Sequence, residues 1–226
     1  MQYFFDILRI LHILAGSLAL VAGPIAMMNQ NGGKLHRAAG KIYFYAMLFI
    51  VGSALYMSIY HQNFFLLMIA IFTLHAVSTG VRSLKLKKLH RGQKPAVIDW
   101  TIQWVAAAFN VCLILWGIWM LYHNNSFGVL GIVFGFIMSR AVISDYKRFT
   151  VPSQEKNEWL FIHIGRMMGG YIATMTAFLV QNVHTNPAFI AWLLPTVVFV
   201  PFLIYTVNKF KGKVKRQEPV PAQVED

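Results

Sequence analysis

Charge is what this sequence has least of. Only 12% of its 226 residues are Asp, Glu, Lys or Arg, whereas 57% are hydrophobic and the mean hydropathy is +0.54. Too few polar side chains remain to cover a soluble domain, so the chain belongs in lipid. Cysteine is nearly absent as well. Cys112 is the single one, which excludes an internal disulfide and a Cys-x-x-Cys-His attachment of c-type haem. Gly32-Gly33 and Gly169-Gly170 lack the Gly-x-x-x-x-Gly-Lys-Ser/Thr context of a phosphate loop, and Ser and Asp form no recognisable nucleophile arrangement. Acidic residues number eight against twenty Lys and Arg, a formal net charge of +12. In a soluble protein that excess would point to nucleic acid. Here the cations sit in short segments beside apolar runs, where they set orientation and meet anionic lipid headgroups, so no nucleic-acid partner is expected.

What the chain has is apolar runs, six long ones and a slightly weaker seventh. A spanning helix needs about 20 mostly apolar residues, which places spans near 3–29, 41–60, 63–83, 98–122, 126–146, 158–182 and 189–208. The connections alternate in character. Lys34, Arg37 and Lys41 follow the first run, Lys85 to Lys94 the third, Lys147, Arg148 and Lys156 the fifth, and Lys209 to Arg216 the last; the intervening connections carry no Lys or Arg. Seven crossings with the N-terminus outside and the C-terminus in the cytoplasm collect every basic segment on one side. The expected fold class is therefore all-α, a polytopic transmembrane helix bundle of about seven spans. Residues 1–210 form its membrane domain, and 211–226, with Pro219 and Pro221, a disordered cytoplasmic tail. The first run lacks a basic n-region and continues past any signal-peptide core to Met28, so it reads as a retained span. Ala15, Gly16, Ala19, Gly23 and Ala26 line one side of that span and allow close helix packing, while Gly23-Pro24 is expected to kink or end the helix.

Ionisable groups inside a bilayer are costly unless paired or liganded, so they mark the first places to look for function. In the first span Asp6, Arg9 and His12 recur every three residues, and in the sixth His163 and Arg166 do the same, followed by Gly170 and Thr174. By helical rise His12 lies about 14 Å and His75 about 18 Å from the outer starts of their spans, and could share an outer layer. His163 lies about 8 Å from the inner start of its span; with His36, in the first turn of an extended second span, it could share an inner layer. Two histidine pairs at two depths suit b-type haem held by imidazoles from different helices, with Arg9 and Arg166 as charge partners. A second reading places His12, His36 and His163 around zinc or another transition metal with an open position, as in a metal-dependent intramembrane hydrolase. A third makes the polar residues the lining of a transporter or receptor cavity.

The segments His12-x-x-Ala15-Gly16 with Gly23-Pro24, Leu35-His36-Arg37-x-x-Gly40-x-x-Tyr43, and His163-x-x-Arg166-Met167 with Thr176-Ala177-Phe178 resemble a family of predicted bacterial multi-pass membrane proteins filed as a domain of unknown function. The resemblance spans most of residues 7–200. It implies a bacterial inner-membrane location and singles out His12, His36, His163 and Arg166; His75 is not part of its motifs. The leading expectation is thus a membrane redox protein with haem b on His12, His36, His75 and His163, whose partner is an unidentified redox protein or small molecule.

Overall fold

The computed structural model describes residues 2–29, 32–151 and 155–217, with side chains to residue 212. Seven long helices account for nearly all of them: α1 (Gln2–Met28), α2 (Lys34–Tyr60), α3 (Phe64–Arg82), α4 (Val97–Tyr122), α5 (Gly128–Thr150), α6 (Glu158–Asn182) and α7 (Phe189–Gln217). No strand occurs among the described residues, and the chain is a polytopic helical membrane bundle. Six of the helices are long and apolar enough to cross a bilayer. The exception is α6, whose 25 residues reach about 37 Å but include Glu158, His163 and Arg166. Its polar groups are tolerated because α6 packs against α1, α3 and α7 and so turns them away from lipid.

Three of the expected boundaries move. Hydropathy marks the lipid core, whereas a helix continues into the headgroup region as long as its backbone bonds are made. For this reason α2 starts at Lys34 and not near 41, which puts His36 in its first turn. On the same grounds α5 runs on to Thr150 and takes in Arg148. The last helix passes residue 210 and reaches Gln217, so residues 211–217 of the expected tail are helical; 218–226 lie outside the described residues. Pro24 does not end α1, which continues to Met28.

Consecutive helices pack as antiparallel neighbours, α1 on α2, α2 on α3, α3 on α4 and α4 on α5, and the connections are short except for residues 83–96 between α3 and α4. At the α2–α3 turn the Asn63 side chain accepts a hydrogen bond from the Leu66 amide at 3.1 Å, stopping one helix and starting the next. The shortest helix, α3, occupies the middle of the bundle, between α2, α4 and α6. Because helices alternate in direction, the segments rich in Lys and Arg all emerge at one end, here termed the basic end.

Lipid provides no hydrophobic drive for helix association, so close packing at small residues has to supply it. The α4–α5 seam shows this: a Cβ on Gly131 would stand 2.7 Å from the Gly117 Cα and 2.9 Å from the Leu113 carbonyl oxygen, beside fully buried Leu113 and Leu130. The small stripe of α1 works in the same way at Gly23, where Tyr171 of α6 takes the space of a side chain. Gly131→Ala should therefore destabilise the purified protein by about 1–3 kcal/mol through overpacking. By contrast, Gly52→Ala, with no atom within 4 Å of the added methyl, should be neutral or mildly stabilising. Thermal unfolding in detergent checks both; equal midpoints for the two variants would contradict the seam.

Candidate functional site

The last carbonyls of an α-helix have no partner within the helix, and two imidazoles exploit this. At the basic end His36, in the first turn of α2, donates from Nδ1–H to the Ala26 carbonyl in the last turn of α1 at 2.8 Å. His163 of α6 donates from Nδ1–H to the Gly80 carbonyl in the last turn of α3, also at 2.8 Å. Gly80 permits the approach, since a Cβ there would lie 2.9 Å from the Met167 sulfur and 3.0 Å from the Arg166 Cβ. The two rings stand 6.4 Å apart, centre to centre, at an interplanar angle of 67°. With Nδ1 protonated on both rings, each Nε2 carries the lone pair.

One turn beyond His163, Arg166 enters a buried ionic cluster centred on Asp145 of α5. The Asp145 side chain is 0% exposed. Its Oδ1 accepts from Arg148 Nη1 at 2.8 Å, and its Oδ2 from Arg166 Nη2 at 2.9 Å. Arg166 Nη2 also donates to the Ala141 carbonyl at 3.0 Å. From α3, His75 Nε2–H donates to Gln103 Oε1 at 3.2 Å and lies 3.5 Å from Asp145 Oδ2. The Gln103 amide is held in turn by the Val142 carbonyl. Toward the surface Arg148 Nε stands 3.4 Å from Glu158 Oε2, and Arg82 clasps Asp99 with two bonds of 2.7 and 2.8 Å. Three arginines thus face three acids, and the layer is electrically balanced. A cavity of about 10 Å³ between Thr79, Ser83, Asp99 and Arg148 has room for a single water.

The structure brings together His36 and His163 but not the other expected sets. His12 donates from Nδ1–H to Ser53 Oγ at 2.7 Å, because that hydroxyl spends its own proton on main-chain carbonyls of α2. His12 does not meet His75. Counting from the outer start puts His75 about 17 Å along α3, much as expected, but α3 packs against α2, α4 and α6 and His75 turns to Gln103. The three-histidine metal set is not assembled either. Fourteen residues, about 21 Å, separate His12 from the Ala26 carbonyl that holds His36. Among the described residues no three His, Cys, Asp or Glu side chains come together as a metal site. Arg9 pairs with Asp6 at 3.5 Å on an exposed face. Arg166 is inside the bundle, but bonded to Asp145.

Sequence reasoning missed Asp145, Gln103 and Asp99, and it placed Arg148 in a connection. One signal was present: Asp145-x-x-Arg148 is an acid and a base one turn apart at the end of an apolar run.

A family model described as "Predicted membrane protein (DUF2306)" matches residues 9–147, a stretch that includes His12, His36, His75 and Asp145 and stops before His163. No curated protein and no solved structure matches the chain.

Removing the charge of Asp145 leaves the Arg166 guanidinium without an acid and Arg148 with Glu158 alone, a loss of about 3–5 kcal/mol for a buried pair. Asp145→Asn should therefore lower the unfolding temperature and the yield of folded protein markedly. In comparison Asp6→Asn, in an exposed pair, should cost under about 1 kcal/mol. Equal stability of the two variants in detergent would show that Asp145 is not the anchor of the layer.

Proposed function

We propose that this chain, which belongs to the DUF2306 family of predicted membrane proteins, is a membrane redox protein that holds haem b between His36 and His163. The observation that carries this reading is the pair itself: two imidazoles from different helices, each oriented by an Nδ1–H bond to a main-chain carbonyl, 6.4 Å between ring centres. A metal–imidazole bond of about 2 Å, with the ring centre about 1 Å further back, separates two rings on one metal by roughly 6 Å. Carbonyl-anchored Nδ1–H is also the arrangement that fixes the ring and raises the basicity of a ligating Nε2. Gly40, one turn beyond His36, leaves an open flank with no atom within 4 Å of a Cβ position.

Haem supplies one-electron chemistry when bound. The chain's own residues would bind, orient and tune. His36 and His163 supply the two nitrogen ligands. Lys34 and Arg37, flanking His36 in the first turn of α2, take the propionate-pairing role first expected of Arg9 and Arg166. Arg166 acts through position, fixing the turn of α6 that carries His163. A single haem near the basic end replaces the two-haem expectation, because His12 and His75 do not face each other. With the basic end in the cytoplasm of a bacterium, electrons would enter or leave the haem at the inner membrane surface.

The test is an absorbance spectrum and metal analysis of the protein purified in mild detergent. A Soret band should be present in wild type and in His12→Ala and His75→Ala, and be bleached or shifted in His36→Ala and His163→Ala. His163→Gln, checked for an unchanged elution profile, separates ligand loss from misfolding. Stoichiometric metal without a visible band would favour a bare metal on the same pair. A wild-type protein with neither would overturn both and leave the transporter or receptor reading in front.

A further inference from the structure

The connection between α3 and α4 carries five cations and reads from sequence as a solvated basic segment. Its structure is otherwise. Leu86 and Leu89 are buried and pin it to the bundle. The Gln93 side chain donates to the Lys85 carbonyl at 2.8 Å and accepts from the Lys88 amide at 2.9 Å, closing the segment on itself. Gly92 makes the left-handed turn, φ +82°, that lets the chain leave the short 3₁₀ turn Leu89–Arg91. Lys87 is held over the Trp159 ring at 4.3 Å, which ties the connection to the start of α6.

Between these two elements lies a cleft of about 280 Å³, lined by Lys87, Lys88, His90, Arg91, Lys156 and Trp159, with Asn157 at its edge. None of these side chains is acidic. Glu155 and Glu158, at the start of α6, do not line the cleft, and Glu158 is turned to Arg148. Four formal positive charges therefore line one concavity, an arrangement that an anion relieves. Asn157, the N-cap residue of α6, makes no side-chain cap, but the Glu158 and Leu160 amides donate to the Glu155 and Asn157 carbonyls, so the charge of the cleft comes from its side chains. The His90 ring also lines the cleft, but its Nε2 is turned away from the open space and is not a contact for a ligand there.

We infer that this cleft binds a phosphate group. Its size is near the roughly 300 Å³ at which small-ligand sites begin, enough for a phosphate ester and a short polar stem. Trp159 lies at the membrane-interface end of α6, the level at which lipid headgroups sit. The headgroup of an anionic phospholipid and a soluble phosphate ester share this chemistry, and the experiment separates them. The site is independent of haem, since none of its residues takes part in the histidine pair.

Native mass spectrometry of the full chain, purified with a mixture of phosphatidylglycerol and phosphatidylcholine, tests the inference. Wild type should retain phosphatidylglycerol in preference to phosphatidylcholine. The triple variant Lys88→Gln, Arg91→Gln, Lys156→Gln should lose that retention by at least about tenfold. A control triple variant with the same charge change at the same end but outside the cleft, Lys41→Gln, Lys147→Gln, Lys209→Gln, should retain it. If glycerol phosphate at millimolar concentration displaces the lipid, or raises the thermal midpoint of wild type and not of the cleft variant, the site takes soluble esters too. Equal losses in the two triple variants would reduce the effect to diffuse surface charge and overturn the inference. So would a wild type that neither prefers phosphatidylglycerol nor responds to glycerol phosphate.

Discussion

A carboxylate with no exposure inside a membrane protein has to be matched by charge and hydrogen bonds on every side, and Asp145 imposes that requirement on four helices. Two guanidiniums reach it, Arg148 from its own helix and Arg166 from α6, while His75 of α3 and Gln103 of α4 close the remaining side. A bare charge at this depth would cost several kcal/mol. With partners in place the cost becomes a constraint on register, because a slide of α6 by one turn would strand both Arg166 and Asp145. Eight acidic residues in the whole chain make the point sharper. Three of them, Asp99, Asp145 and Glu158, are committed to arginines of this one layer.

The histidine pair inherits its geometry from that layer. His163 and Arg166 are one turn apart on α6, so the bond from Arg166 to Asp145 also sets the rotation that brings the His163 Nδ1–H to the Gly80 carbonyl. Gly80 completes the fit by admitting Met167 and the Arg166 stem against α3. On the other side, His36 closes the end of α1 through Ala26. Each imidazole thus caps a helix end with its Nδ1–H, and the proposed ligand role falls to the other nitrogen.

Much of this was legible in the sequence. Apolar run length gives the spans, and the alternation of cations gives the common end at which all basic segments emerge. The weaker hydropathy of α6 is itself informative, since Arg166 and His163 require a helix shielded by neighbours. The depth argument succeeds for His36 and His163 because both sit close to the ends from which they are counted. It does not bring His75 to His12, because α3 packs chiefly against α2, α4 and α6, and it gave no role to Asp145, which lies inside the expected fifth run. Which way a side chain faces is not carried by spacing along one helix. His12 turns to Ser53 and His75 to Gln103 because of what α2 and α4 present to them, and that is a property of packing.

The central claim is that His36 and His163 are two ligands of one iron, and electron paramagnetic resonance of the oxidised protein tests it most directly. Two imidazole ligands hold ferric haem low-spin, so wild type should show a low-spin ferric signal, converting to high-spin when either histidine is replaced by alanine. A haem signal that stays low-spin in both variants, or a wild-type preparation without haem, would contradict it.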